Sequence, residues 1–163
     1  MKVVINWSGP AHDADASEMA FTATTESGHV IAMDGAPASA GQSLGGRNLA
    51  PRPMETVLAG TGGCTAYDVV LILRRARQEI EGCEVRLDAE RAETDPKVFT
   101  RIHFHFIVRG RGVRPEMVER AIQLSHEKYC SASIMLAKTA RMSHSFEIVD
   151  AALPSPPPDT SAS

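Results

Sequence analysis

Between Leu58 and Leu73 the chain reads LAGTGGCTAYDVVLIL. Its right half has the apolar spacing of a helix, through Val69, Val70, Ile72 and Leu73, in step with Val57 and Leu58 before it. The left half crowds Gly60, Gly62 and Gly63 against Cys64, and each glycine in a helix interior costs about 1 kcal/mol relative to alanine. A phosphate-cradling loop would need a preceding strand and a lysine motif, and neither is present. A plain loop would break the apolar phase, which instead resumes in step. The remaining reading is a helix whose small residues let a second backbone come close, with Cys64 at the crossing.

Working outward, Pro53 suits a first helical turn and Glu55 suits the positive end of the macrodipole. The helix is expected from Pro53 to about Ile80, stopping at Gly82. Upstream, KVVINW reads as a strand and Met19 to Asp34 as a hairpin turning at Glu26-Ser27-Gly28. Gly35 to Pro53 is a long loop rich in small residues. Downstream, CEVRLDAERAET alternates as a strand that turns at Asp95-Pro96. In VFTRIHFHFIVRG, Ile102, Phe104, Phe106 and Val108 share one face; Arg101, His103, His105, Ile107 and Arg109 share the other. RPEMVERAIQLSHEKYC predicts one amphipathic helix, SASIMLAKTA a short second one, and HSFEIVD a last strand. The order βββαββααβ argues α+β with mainly antiparallel sheet. We expect a single domain over residues 1–150, and a tail over 151–163, AALPSPPPDTSAS, that is disordered by composition.

The chain has 163 residues, 43% of them hydrophobic and 23% charged, which is enough for one packed core. A formal net charge of −3 leaves no basic footprint for nucleic acid. The first residues, MKVVINWSGPAHD, lack the apolar run of a signal peptide, and no stretch reads as a membrane span. A cytoplasmic protein without a membrane partner is therefore expected. In that compartment its three cysteines are thiols, ligands or redox groups rather than permanent staples. CxxC and HExxH are absent, so no metal site is expected.

Cys64 and Cys130 both sit beside small residues, as suits thiols that must be reached; the bland alternative is a pair of buried small hydrophobes. Cys83 reads as structural. Cys130 precedes a helix start, which lowers a thiol pKa, so position alone nominates Cys130 as the nucleophile. Cys64, in mid-helix, would need a cation, and Arg47 and Arg52 are the candidates. Nine residues of one helix would separate Glu55 from Cys64 by about 13–14 Å. An acid serving that thiol would come from another element or a second subunit; otherwise Glu55 is a first-turn dipole partner. His103 and His105 are expected on a solvated sheet face. His126 is expected at the surface, with contact to Cys130 one turn later as the sharper option.

The stretches APRPMETVLAGTGGCTAYDVVLIL and HFIVRGRGVRPEMVERAIQLSHEKYCSASIML resemble the OsmC/Ohr family, that of osmotically inducible protein C and the organic hydroperoxide resistance proteins. The resemblance runs from the first strand to HSFEIVD. It implies an OsmC-like fold in an intertwined homodimer whose long helices cross at the centre. It also implies a stress-response peroxidase in which Cys64 attacks an organic hydroperoxide and Cys130 resolves the sulfenic acid. No bound cofactor is implied, only an external dithiol reductant of the dihydrolipoamide type. Peroxidase members often carry a glutamate ten residues before the first cysteine; here that position is Met54, with Glu55 next, a PME variant akin to a less characterised subgroup. The resemblance gives catalytic roles to Cys64 and Cys130; Glu55 is a further catalytic candidate, and Met54, Leu58 and Met135 are the expected lining of an apolar pocket. Two other classes stay open: a dimeric small-ligand-binding protein with little turnover, and a metal site using Cys64, Cys130 and His126.

Overall fold

The computed structural model describes residues 1–9, 17–41 and 44–151. The expected disordered tail lies, except for Ala151, outside the described residues. The chain divides into two compact units, residues 1–59 and 60–163.

The first unit holds an antiparallel meander of β1 (Val3–Trp7), β2 (Phe21–Thr25) and β3 (Val30–Met33). The expected hairpin closes at Gly28, whose φ of 83° lies in the left-handed region. Every residue of β1 is exposed, including Val3, Val4, Ile5 and Trp7. After β3 the chain is organised by Asp34, which is only 1% exposed. Its carboxylate accepts from the Ser17 hydroxyl and from the backbone N–H groups of Gly35, Arg47 and Leu49. Burial would raise this carboxyl pKa, but these bonds outweigh it and hold the pKa at about 2.

The long helix α1 (Pro53–Arg75) starts at the expected proline. The backbone N–H of Arg52 donates to the Glu55 carboxylate at 2.8 Å, the return half of a capping box. The helix stops at Arg75, short of Ile80. Arg77 takes a left-handed φ of 56°, and the Gln78 N–H donates to Leu73 at 3.0 Å, closing the last turn. Glu79, Ile80 and Glu81 already belong to the next strand. An irregularity between Ile80 and Gly82 breaks the alternation there, which hides the strand start from a sequence pattern. By length and composition alone α1 is long and apolar enough to cross a membrane, a test that a core helix also passes. Its face of Thr61, Gly62, Thr65, Val69 and Leu73 is buried in protein.

The second unit packs helices against a sheet ordered β4-β5-β6. β4 (Glu79–Arg91) and β5 (Phe99–Arg111) are antiparallel, whereas β6 (Arg141–Asp150) runs parallel to β5. The parallel pairing follows from the helical crossover between them. Ile102, Phe104, Phe106 and Val108 are fully buried with Val69, Leu73, Val118 and Ile122, as the alternation predicts. A Cβ on Gly62 would lie 2.6 Å from a Leu87 methyl carbon, so α1 comes close to β4 there, while Gly60 and Gly63 face open space.

The helix predicted over RPEMVERAIQLSHEKYC divides. α2 (Pro115–Leu124) gives way to a π-helical turn, Ser125–Tyr129, before α3 (Ser131–Leu136). The Cys130 N–H donates to the Ser125 carbonyl at 2.8 Å, the five-residue step that defines this wider turn.

Candidate functional site

Cys64 is held in the middle of α1, half-buried. Cys130 caps α3 and is fully buried. Far apart in the chain, the two sulfurs and a carboxylate oxygen of Asp68 all lie within 4.8 Å of one another. Asp68 is one helical turn beyond Cys64, on the same face of α1. Its Oδ2 accepts from the Ser125 hydroxyl at 3.0 Å, which ties α1 to the first residue of the π-helical turn. The sequence reading missed Asp68, although its four-residue spacing from Cys64 was the available signal.

The Cys130 sulfur accepts from the Ser133 N–H at 3.4 Å and lies 3.4 Å from the Thr65 hydroxyl. Thr65 also donates to the Thr61 carbonyl at 2.9 Å, so its hydroxyl can receive the thiol proton or turn toward a thiolate. Burial raises the Cys130 pKa, but hydrogen bonds from Ser133, Thr65 and Cys64 outweigh it and bring the value below that of a free thiol. For Cys64 the balance is reversed. Burial, the hydrogen bond to Cys130 and the charges of Cys130 and Asp68 raise it, against a lowering contribution from the Ala132 N–H. The pair thus shares its protons unequally, Cys130 releasing its own first and Cys64 keeping S–H directed at it. This agrees with the positional argument for Cys130, while Cys64 is the sulfur that retains some exposure.

Beside Asp68 opens a cavity of about 370 Å³, lined by Leu71, Ile72, Arg75, Ala76, Leu124 and Tyr129. Of the pocket residues expected from sequence, Met135 is 66% exposed on α3, and Met54 and Leu58 are half-buried in the first turns of α1. Glu55 is engaged with the Arg52 N–H. The Arg52 side chain donates to Asn48 at 3.4 Å, and the Arg47 N–H serves Asp34. Cys83 stands apart in β4, half-buried, its pKa pushed up by burial.

His126 is not a surface residue. Both ring nitrogens are buried without a hydrogen-bond partner among the described residues, and the ring packs edge-on to Phe104 at 4.7 Å and stacks on His144 at 5.7 Å. Burial, and then the charge of His144, depress its pKa to about 4. The four-residue spacing of Val118, Ile122 and His126 continues the buried stripe of α2, which explains the burial. The carboxylate by the thiols is Asp68, so His126 gives way to it as the third ligand-type group. His103 and His105 are half-buried, and their rings bond to Ser143 and Ser145 on β6 at 2.9 Å, rather than lying free on a solvated face.

Two cysteines brought together by a long helix and a capped short one, over a βββαββααβ frame, match a known family. OsmC-like protein is the family whose pattern matches residues 45–145, a span that includes both thiols and Asp68. The chain belongs to the OsmC-like family. Protein YhfA of Escherichia coli strain K12 is 47% identical over 133 residues, 82% of this chain and 92% of its own. The crystal structure of a hypothetical protein from Aquifex aeolicus VF5 is 29% identical, with TM-score 0.71 over 91% of this chain and 96% of that one. The organic hydroperoxide resistance protein OhrB of Bacillus subtilis shares the OsmC-like fold at 17% identity, with TM-score 0.54 over 90% of this chain and 98% of its own.

Proposed function

We propose that this OsmC-like protein is a thiol-dependent peroxidase that reduces organic hydroperoxides. The observation that carries the reading is the approach of the Cys64 and Cys130 sulfurs to within 4.8 Å. At that distance a sulfenic acid on one can be condensed by the other with little backbone movement. Cys64, the more accessible sulfur, attacks the peroxide oxygen and passes its proton to Cys130. The leaving alkoxide takes that proton from Cys130 and departs as the alcohol, so that Cys64 becomes the sulfenic acid and Cys130 is again a thiolate. Cys130 then attacks the Cys64 sulfur and water departs. Two thiols and one hydroperoxide have become one disulfide, one alcohol and one water. An external dithiol of the dihydrolipoamide type takes the disulfide back to two thiols. Cys130, as the better thiolate, serves first as the base and then as the resolving nucleophile.

In this reading the protein works in the cytoplasm as a homodimer, with the open faces of Gly60 and Gly63 at the helix crossing. Arg47, Arg52 and Glu55 enter as candidates for charge compensation at the thiols, and Met54, Leu58 and Met135 as apolar lining. The decisive assay mixes native protein and the Cys64→Ser variant with an alkyl hydroperoxide and dihydrolipoamide. Turnover confined to the native protein is expected. Equal rates, with no Cys64–Cys130 disulfide by intact mass, would end the reading.

One observation favours a second reading, a small-ligand-binding protein with little turnover. Burial first, then the hydrogen bond to Cys130 and the charges of Cys130 and Asp68, raise the Cys64 pKa and so disfavour the thiolate that fast peroxide chemistry requires. Under that reading the cavity beside Asp68 binds an apolar compound while the thiols stay idle.

A further inference from the structure

We propose that the reduced Cys64–Asp68–Cys130 cluster is a binding site for a borderline-soft divalent cation, zinc in particular. The inference stands apart from the peroxidase reading, because metal binding needs neither a hydroperoxide nor turnover.

The donor set is two thiols and a carboxylate, ligand types that zinc accepts. All three donor atoms lie within 4.8 Å of one another. Tetrahedral zinc, with bonds of about 2.3 Å to sulfur and 2.0–2.2 Å to oxygen, sets donors about 3.6–3.8 Å apart. The cluster therefore needs to contract by no more than about 1 Å, within the reach of side-chain torsions. Two of the ligands are fixed relative to each other by one turn of a long helix, and the third is the cap of α3.

The surroundings are those of a metal site. Ser125 donates to the carboxylate oxygen of Asp68 at 3.0 Å, orienting it. The Ser133 N–H donates to the Cys130 sulfur at 3.4 Å, and the Ala132 N–H serves Cys64. Three protein ligands leave a fourth position for water or an exogenous ligand, and Asp68 also lines a cavity with Leu71, Ile72 and Tyr129.

Asp68 supplies charge as well as a donor atom: with a dication present, two thiolates and its carboxylate, all within 4.8 Å of one another, share one positive centre. A disulfide between Cys64 and Cys130 removes both thiolates, so only reduced protein holds the metal.

The test uses full-length reduced protein stripped of metal. Zinc is titrated in competition with a chromophoric chelator, and cobalt(II) is titrated separately as a spectroscopic probe. We expect one metal per chain and a sulfur-to-cobalt charge-transfer band. Asp68→Asn weakens zinc binding by about 10–100-fold and Ser125→Ala by about tenfold. Cys83→Ser leaves binding unchanged, and protein oxidised with diamide does not bind. Zinc-edge absorption on the native complex, which depends on no variant, shows two sulfur neighbours with oxygen completing the shell. Absence of competition by the reduced native protein, undiminished binding in Asp68→Asn, dependence on Cys83, or a shell with fewer than two sulfurs would each overturn the proposal. Zinc binding with no peroxidase turnover, or the reverse, separates this proposal from the function above.

Discussion

Asp68 on α1 accepts a 3.0 Å hydrogen bond from Ser125, the first residue of the π-helical turn that delivers Cys130. Through this bond the segment carrying one thiol is anchored to the helix carrying the other. The same carboxylate is one of the charges that raise the Cys64 pKa.

Neutralising Asp68 therefore changes thiol reactivity in a known direction. In metal-free Asp68→Asn the repulsive charge is gone, the Cys64 pKa falls, and alkylation by iodoacetamide begins at lower pH. Peptide mass mapping reads the midpoint at Cys64 specifically. A midpoint that stays in place or moves upward contradicts the assigned electrostatics.

Removing Cys130 takes away both the base and the resolving thiol of the proposed cycle, so Cys64 oxidises more slowly but its sulfenic acid persists once formed. Cys130→Ser treated with one equivalent of alkyl hydroperoxide accumulates a Cys64 sulfenic acid, trapped by dimedone as a stable adduct. An adduct on neither residue, or one found at Cys83, would sink the assignment of Cys64 as the attacking sulfur.

The glycines of α1 report on self-association. A Cβ on Gly63 would meet nothing within 4 Å among the described residues, so in a monomer alanine there would stabilise the helix by about 0.5–1 kcal/mol. In the proposed homodimer the added methyl obstructs the helix crossing. We expect Gly63→Ala to weaken the dimer in sedimentation equilibrium. A variant that associates as before and melts higher would place that face in solvent.

Asp34 makes the first unit acid-sensitive. Its folded pKa of about 2 lies below the ordinary 3.8, so the ionised form carries the stabilisation. That contribution is complete above about pH 4 and is lost as pH falls toward 2, a difference of about 2–3 kcal/mol. Asp34→Asn, which leaves its backbone donors poorly matched, lowers stability at pH 7 by about 1–3 kcal/mol in urea unfolding. The variant also loses this part of the acid dependence. An unchanged acid profile would show that the loop is organised by something else.

His126 gives a second, separate acid response. Its folded pKa of about 4 lies below the ordinary 6.5, so the unfolded chain takes up the proton first as pH falls. Its neutral form is compatible with full stability above pH 6.5, and stability declines from there toward pH 4. His144, 3.1 Å from Glu119, is the charge facing it and opposes its protonation. His126→Phe is expected to flatten thermal stability across this interval. A variant as steep as the native protein would assign the decline to other groups.

Much of this architecture was legible in local pattern. Period-two alternation marked β5 and its buried Phe104 and Phe106, and Pro53 with Glu55 marked the start of α1, because strand and helix periods and first-turn chemistry act over a few residues. Legibility failed where a local irregularity interrupted the period. The break between Ile80 and Gly82 concealed the start of β4, and the π-helical turn concealed that α2 ends before His126. Each departure shifts the repeat by about one residue, which a regular period of 2 or 3.6 does not mark.

The candidate site divides along the same line. The order of elements, the family and the two cysteines that matter follow from the amino-acid sequence itself, since each rests on residue types at fixed short spacings. That Asp68 joins the thiols and that His126 turns to the aromatic core were decided only by tertiary structure, whereas the lower pKa of Cys130 was already indicated by its place before a helix start. Proton affinity depends on burial and on donors a few ångströms away, and the donors and charges around these sulfurs come from segments that only folding brings together.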